Sequence, residues 1–182
     1  MVDPLPAAPA MPAPQLAQFD KGLVLALLTL AGAAILGAAF AFEIWGKLAP
    51  CALCLAQRWP YVAVIAFGVM GAAGLGGVDW RPVFLAGVAA ALFVTGGFGV
   101  YHVAVEKKWV VASCADGTPI RPLTIEDIAK ASAGPPAPRC DAVPWQLFGI
   151  SMAGYNALLG LGLGGAGLLA LLVLPDSRRK GA

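Results

Sequence analysis

Four apolar runs in this chain are too long and too poor in charge for a fold built in water. Gly22 to Phe42 runs about 21 residues without an Asp, Glu, Lys or Arg, and the runs from about Pro60 to Val78, Val83 to Val105 and Phe148 to Leu174 are equally uncharged. At about 1.5 Å of rise per residue the first would span about 31 Å as a helix, the thickness of a bilayer's hydrocarbon core. Composition agrees: 59% of the 182 residues are apolar and 12% are charged, against about 45–50% and about 25% in a soluble domain. So much apolar surface cannot be hidden in a water-soluble fold of this size, and the bilayer is the expected solvent. The expected fold class is an all-α integral membrane protein, a four-transmembrane-helix bundle over residues 20–175. A cleavable signal peptide competes for the first run, because small residues cluster at Ala38, Ala39 and Ala41. The run exceeds an h-region of about 7–15 residues and follows a proline-rich tail, so a permanent span is the stronger reading.

The polar segments set the connectivity. Residues 1–19 hold Pro4, Pro6, Pro9, Pro12 and Pro14 among alanines and read as a disordered, partly polyproline-II tail. Asp79-Trp80-Arg81-Pro82 is so short a turn that the second and third spans must be antiparallel neighbours. Four spans then put loops 43–59 and 106–147 on one side of the membrane and both termini, with the basic tail 176–182, on the other. In the longer loop Thr124 can cap a short interfacial helix over 124–130, with Glu126 and Asp127 near its start and Ile125, Ile128 and Ala129 toward the membrane surface. Gly160 and Gly164, at GxxxG spacing, read as close helix packing, with a dimerisation face as the lesser alternative. Trp59, Trp109 and Trp145 read as belt residues, and Glu43 and Glu106 as solvated interface charges. Lys and Arg divide between the two sides and orient the bundle only through the concentrated tail Arg178-Arg179-Lys180, which favours cytoplasmic termini. A net charge of +2 is too small to point to nucleic acid.

The chemistry lies in four cysteines, all on the side opposite the termini: Cys51 and Cys54 in the first loop, Cys114 and Cys140 in the second. That distribution is what disulfide chemistry in an oxidising compartment would produce. Cys51 and Cys54 are three residues apart and share a face if the segment is helical, close enough to join or separate as a disulfide. Arg58 follows one turn later on the same face. A helix beginning near the pair would stabilise thiolates through its N-terminal dipole. As an inert staple a Cys-x-x-Cys bridge closes too short a loop to stabilise much. A zinc site would suit the first pair, but the second is separated by 25 residues. Haem attachment fails because Leu55, not histidine, follows Cys54. Thiol–disulfide exchange at a bilayer edge explains the pattern better, although four cysteines alone allow three pairings.

The segments Cys51-Ala52-Leu53-Cys54-Leu55-Ala56-Gln57-Arg58 and Cys140-Asp141-Ala142-Val143-Pro144-Trp145-Gln146-Leu147-Phe148-Gly149-Ile150-Ser151-Met152, with Cys114 between them, resemble the disulfide bond formation protein B (DsbB) family. The resemblance covers about 22–174, including the order of spans and cysteine pairs. Vitamin K epoxide reductase relatives are similar four-helix enzymes, but they carry the quinone-proximal Cys-x-x-Cys late in their core. Gln57 departs from the acidic residue common in the DsbB family beside the arginine, which puts the local charge balance in question.

The resemblance implies a quinone, ubiquinone or menaquinone, held near the periplasmic surface of a bacterial inner membrane. It also implies a periplasmic thioredoxin-fold partner oxidase of the DsbA type, the relay that keeps the periplasm oxidising. By family analogy Cys114 takes the mixed disulfide with the partner, Cys140 exchanges with Cys51, and Cys54 meets the quinone. Arg58 would hydrogen-bond a quinone oxygen, and His102, the only histidine, would assist quinone binding or protonation or else make a structural hydrogen bond. No catalytic metal motif or phosphate loop is present. A transporter or channel would need ionisable groups inside the spans, and Gly22–Phe42, Val62–Val78 and Val83–Val100 have none. A disulfide-stapled or zinc-binding structural membrane protein is the blander alternative.

Overall fold

The computed structural model describes residues 20–73, 80–110 and 139–174. Four helices carry it: α1 (Lys21–Ile44), α2 (Ala52–Ala72), α3 (Arg81–Glu106) and α4 (Met152–Val173). All four are long and apolar enough to cross a membrane. Their outward faces are unsuited to water: Leu158, Leu169 and Leu172 on α4 are 60%, 61% and 76% exposed. The chain is a multi-pass membrane protein built as a four-helix bundle. The expected interfacial helix at 124–130, the tail 1–19 and Cys114 lie outside the described residues.

Each helix starts where a side chain accepts an otherwise unbonded N–H, with one exception. Asp20 Oδ1 accepts from Leu23 N at 2.7 Å, and Ser151 Oγ accepts from Gly154 N at 3.1 Å. The α3 start has Trp80 at the cap position without a side-chain bond, and Pro82 in its first turn. The α2 start departs from the sequence expectation of about residue 60. Cys51 supplies the capping acceptor, so the helix begins at Ala52 and Pro60 falls inside it. Pro60 removes only the N–H that would bond the Ala56 carbonyl, and the apolar helix continues through it.

The last helix also starts later than its apolar run. Residues 146–151 form a two-residue hairpin instead, β1 (Gln146–Leu147) antiparallel to β2 (Ile150–Ser151), with Gln146 opposite Ser151. Phe148 and Gly149 at its turn have φ of 51° and 76°, the double positive φ that such a tight hairpin needs. Tyr155 Oη donates to the Leu147 carbonyl at 3.1 Å, tying the hairpin to the first turn of α4.

α3 is the central helix, packed most extensively on α4 and α2. Small residues permit the α3–α4 approach: a Cβ on Gly160 would lie 2.7 Å from the Gly96 backbone, and one on Gly99 would lie 2.6 Å from Ala157 N. Gly164 faces the Phe93 ring. These are intramolecular contacts, the close helix packing that the GxxxG spacing suggested. One apolar core, including Leu25, Val64, Leu85, Val88 and Leu92, fills the middle of the bundle. A second, smaller cluster lies at one end and contains Cys51, Cys54 and Cys140.

Candidate active site

The site is assembled at the start of α2. Cys51 Sγ accepts from the Cys54 N–H at 3.3 Å and lies 2.9 Å from Cys54 Sγ, with both thiols free. The hydrogen bond shared with Cys54 pulls the Cys51 thiol down to about 4 against the opposing effect of burial, and His102 and the Cys54 N–H add to the pull. That N–H belongs to the first turn of α2, so the helix N-terminus acts in the same direction. Cys51 is 5% exposed and packs with Val105 and Cys140, with Leu53 and Cys54 against them. Cys140 is disulfide-bonded and 2% exposed. The sequence therefore places two cysteines 89 positions apart, Cys51 and Cys140, in one buried cluster.

Arg139 and Asp141 bracket Cys140 with a two-pronged ion pair, Nε to Oδ1 at 2.9 Å and Nη2 to Oδ2 at 2.6 Å. The guanidinium holds the Asp141 carboxyl below its ordinary range. The pair is solvent-facing, so it shapes the turn at Cys140 more than it stabilises the protein.

Arg58 stands one turn beyond Cys54. Its Nη1 donates to Glu43 Oε2 at 2.6 Å, and its guanidinium lies 4.7 Å from the centre of the Phe40 ring. Glu43 is thus an ion-pair partner rather than a solvated interface charge, and it supplies the charge balance that Gln57 does not. Glu106 is likewise partnered: Ser151 Oγ donates to its Oε2 at 2.6 Å, joining the end of α3 to the start of α4.

His102 is 4% exposed and occupies the space between Cys51 and Gln57. Its Nε2 lies 3.7 Å from Cys51 Sγ and its Nδ1 lies 2.8 Å from Gln57 Nε2. Behind it runs a buried polar network across three helices. Asn156 Nδ2 donates to Gln57 Oε1 at 2.8 Å, Tyr61 Oη donates to Asn156 Oδ1 at 2.6 Å, and Thr95 Oγ1 donates to the Gln57 carbonyl at 3.1 Å. Among the described residues no buried side-chain nitrogen or oxygen lacks a partner. Sequence reasoning did not single out Tyr61, Thr95 or Asn156. The available signal was Asn156, the one amide inside the last apolar run, where an unpaired polar group is costly.

These groups line a cavity of about 450 Å³, a volume suited to a small-molecule ligand. Leu36 and Phe42 from α1 and Leu159 from α4 give it apolar walls, while Cys51, Cys54, Arg58 and His102 gather on its polar side. Trp145 is also in the wall, 5.1 Å from the Phe42 ring and 6.1 Å from Tyr155 between ring centres, so it is more than a belt residue. Trp59 and Trp109 remain outward-facing, 74% and 78% exposed. Cys51, Cys54 and His102 also bring three potential metal-ligand atoms within 4.8 Å of one another.

Five of the six residues singled out from the sequence thus meet at one end of the bundle, and Cys114 lies outside the described residues. No curated protein and no solved structure matches the chain. The family model described as disulfide bond formation protein DsbB matches residues 21–171, which takes in α1 to α3, all but the last two residues of α4 and both cysteine-bearing segments. On that match, and with a buried dithiol beside a disulfide-bonded cysteine in a four-helix membrane bundle, the chain belongs to the DsbB family of membrane disulfide oxidoreductases.

Proposed function

We propose that the protein reoxidises a DsbA-like periplasmic dithiol oxidase and passes two electrons to a membrane quinone. The supporting observation is the shared burial of Cys51 and Cys140, with Cys54 packed on them and Arg58 beside them in the cavity wall. With Cys140 in a disulfide and Cys51 and Cys54 free, Cys114 is the remaining cysteine of the four, in keeping with a loop pair and a membrane pair.

A partner thiolate attacks Cys114, the Cys114–Cys140 bond breaks, and Cys140 leaves as a thiolate. Cys140 then attacks Cys51, breaking the Cys51–Cys54 bond and freeing the Cys54 thiolate. Attack by the partner's second thiol on the mixed disulfide, and by Cys114 on the Cys140–Cys51 bond, leaves the partner oxidised, the loop pair restored and Cys51–Cys54 as a dithiol. A bound quinone supplies a two-electron, two-proton acceptor. The cavity's donors fit such a group: apolar walls exclude water, Glu43 holds the Arg58 guanidinium in place, and cationic N–H groups at the wall stabilise negative charge on a facing oxygen. His102 lines the same cavity. Cytoplasmic termini in a bacterial inner membrane complete the reading.

Anaerobic quinone reduction by the purified protein, driven by a reduced DsbA-like oxidase, tests it. Wild type is expected to turn over, Cys54→Ser to be inactive, and Arg58→Ala to be slower by on the order of a hundred-fold. A metal-binding structural protein is the second reading, favoured by the spacing of Cys51, Cys54 and His102. Retention of stoichiometric zinc without quinone reduction would establish it in place of the first.

A further inference from the structure

The hydrogen bonds around His102 have a direction, and a backbone carbonyl fixes it. Asn156 Nδ2 lies 3.1 Å from the Thr95 carbonyl oxygen, which can only accept, so the amide nitrogen of Asn156 must be the atom facing it. The Asn156 oxygen is then left for Tyr61, whose hydroxyl donates to it at 2.6 Å. The second Asn156 N–H reaches Gln57, so the Gln57 atom it meets at 2.8 Å must be the oxygen. That leaves the Gln57 nitrogen, a donor only, against His102 Nδ1 at 2.8 Å. Nδ1 must accept, and the ring proton must sit on Nε2. Nε2 faces Cys51 Sγ at 3.7 Å.

We infer that Gln57 is a positioning residue that locks His102 in the Nε2–H tautomer, so that the ring serves as a fixed hydrogen-bond donor to the Cys51 thiolate. The inference deepens the proposed exchange reaction, on which its use in the catalytic cycle rests. When Cys51 and Cys54 are reduced, the Nε2–H donor stabilises negative charge on the buried Cys51 sulfur. A proton on Nδ1 would set two N–H donors face to face. Relieving that by turning the Gln57 amide would bring its nitrogen against the Asn156 nitrogen and cost a second buried bond. The same lock removes the Nε2 lone pair that a metal ion held by Cys51, Cys54 and His102 would require. Other charges near the ring are Glu106 on its own helix and the Arg58–Glu43 pair between α2 and α1. The Cys140 backbone carbonyl also accepts from the ring, and with Nδ1 taken by Gln57 that proton is again the one on Nε2.

His102 is the only histidine of the chain, so one isotope label reports on it without overlap. The test is nitrogen-15 NMR of the full-length protein, labelled at histidine, in lipid nanodiscs with Cys51 and Cys54 reduced. The expected spectrum has one bare ring nitrogen assigned to Nδ1 and one protonated nitrogen assigned to Nε2. In Gln57→Glu a carboxylate, which only accepts, replaces the donor, and the Nδ1 signal is expected to move to the protonated class. A wild-type spectrum with the proton on Nδ1, or a Gln57→Glu spectrum unchanged from wild type, overturns the inference. The wild-type spectrum decides the tautomer even if the variant does not fold. Neither readout needs quinone or partner, so the lock can fail while turnover stands, and turnover can fail while the lock stands.

Discussion

Cys51 Sγ accepts from the Cys54 N–H, shares a hydrogen bond with the Cys54 thiol and faces His102 Nε2 at 3.7 Å, and a proton held by each of these neighbours favours the thiolate over the thiol. Its ordinary value of 9.0 falls to about 4, with the Cys54 hydrogen bond as the largest cause. A group with a depressed folded value stabilises the fold fully above its unfolded value, here 9.0, and loses that contribution as pH falls through about 4. The reduced protein is therefore expected to hold one thiolate per molecule across neutral pH, read by its ultraviolet absorbance, and to lose both that signal and part of its thermal stability as pH falls toward 4. Cys54, His102, Glu106 and the Arg58–Glu43 pair are the titratable or charged groups nearest to it. Replacing His102 with alanine removes one donor and should raise the midpoint of the absorbance titration. An unchanged midpoint would remove His102 from the set of groups that hold the thiolate.

The helices were readable because a membrane span announces itself by length and lack of charge, and each of the four runs did so. Their starts were less readable. The apolar run marks the second span only from about Pro60, because Gln57 and Arg58 interrupt the hydropathy, whereas the helix itself begins beside the cysteine pair at Ala52. The Phe148-Gly149 turn lay hidden inside an apolar run, where only backbone geometry distinguishes hairpin from helix. Of the polar network only Asn156 is legible as a costly amide in an apolar run, since Gln57, Thr95 and Asn156 come from three helices and meet only once α3 packs on both neighbours. That packing rests on small residues, and it can be tested at one position. Gly160→Ala forces a methyl group against the Gly96 backbone, which cannot give way as a side chain could, and should cost about 1–3 kcal/mol in a thermal or denaturant melt in detergent. Gly162 on the same helix has open space around it, so Gly162→Ala should leave the melt unchanged. Equal effects at both positions would show that the contact with α3 is not what makes the glycine necessary.

At the scale of the whole molecule, the bundle is asymmetric from end to end. One end gathers the dithiol, Cys140, the arginine and the cavity, with Leu147 of the hairpin in the cavity wall. The chain's 12 basic residues do not orient the bundle by number, because both sides hold several. The exchange chemistry proposed above requires the cysteine loops to face an oxidising compartment. Fusing alkaline phosphatase, which is active only in an oxidising compartment, reports the side directly. A fusion after Ala182 is expected to be inactive, while one inserted within 106–147 is expected to be active. The reverse pattern would put the cysteines in the reducing cytoplasm, where Cys51 and Cys54 would rest as a dithiol with no oxidised partner to serve, and the direction of electron flow proposed above would have to be abandoned.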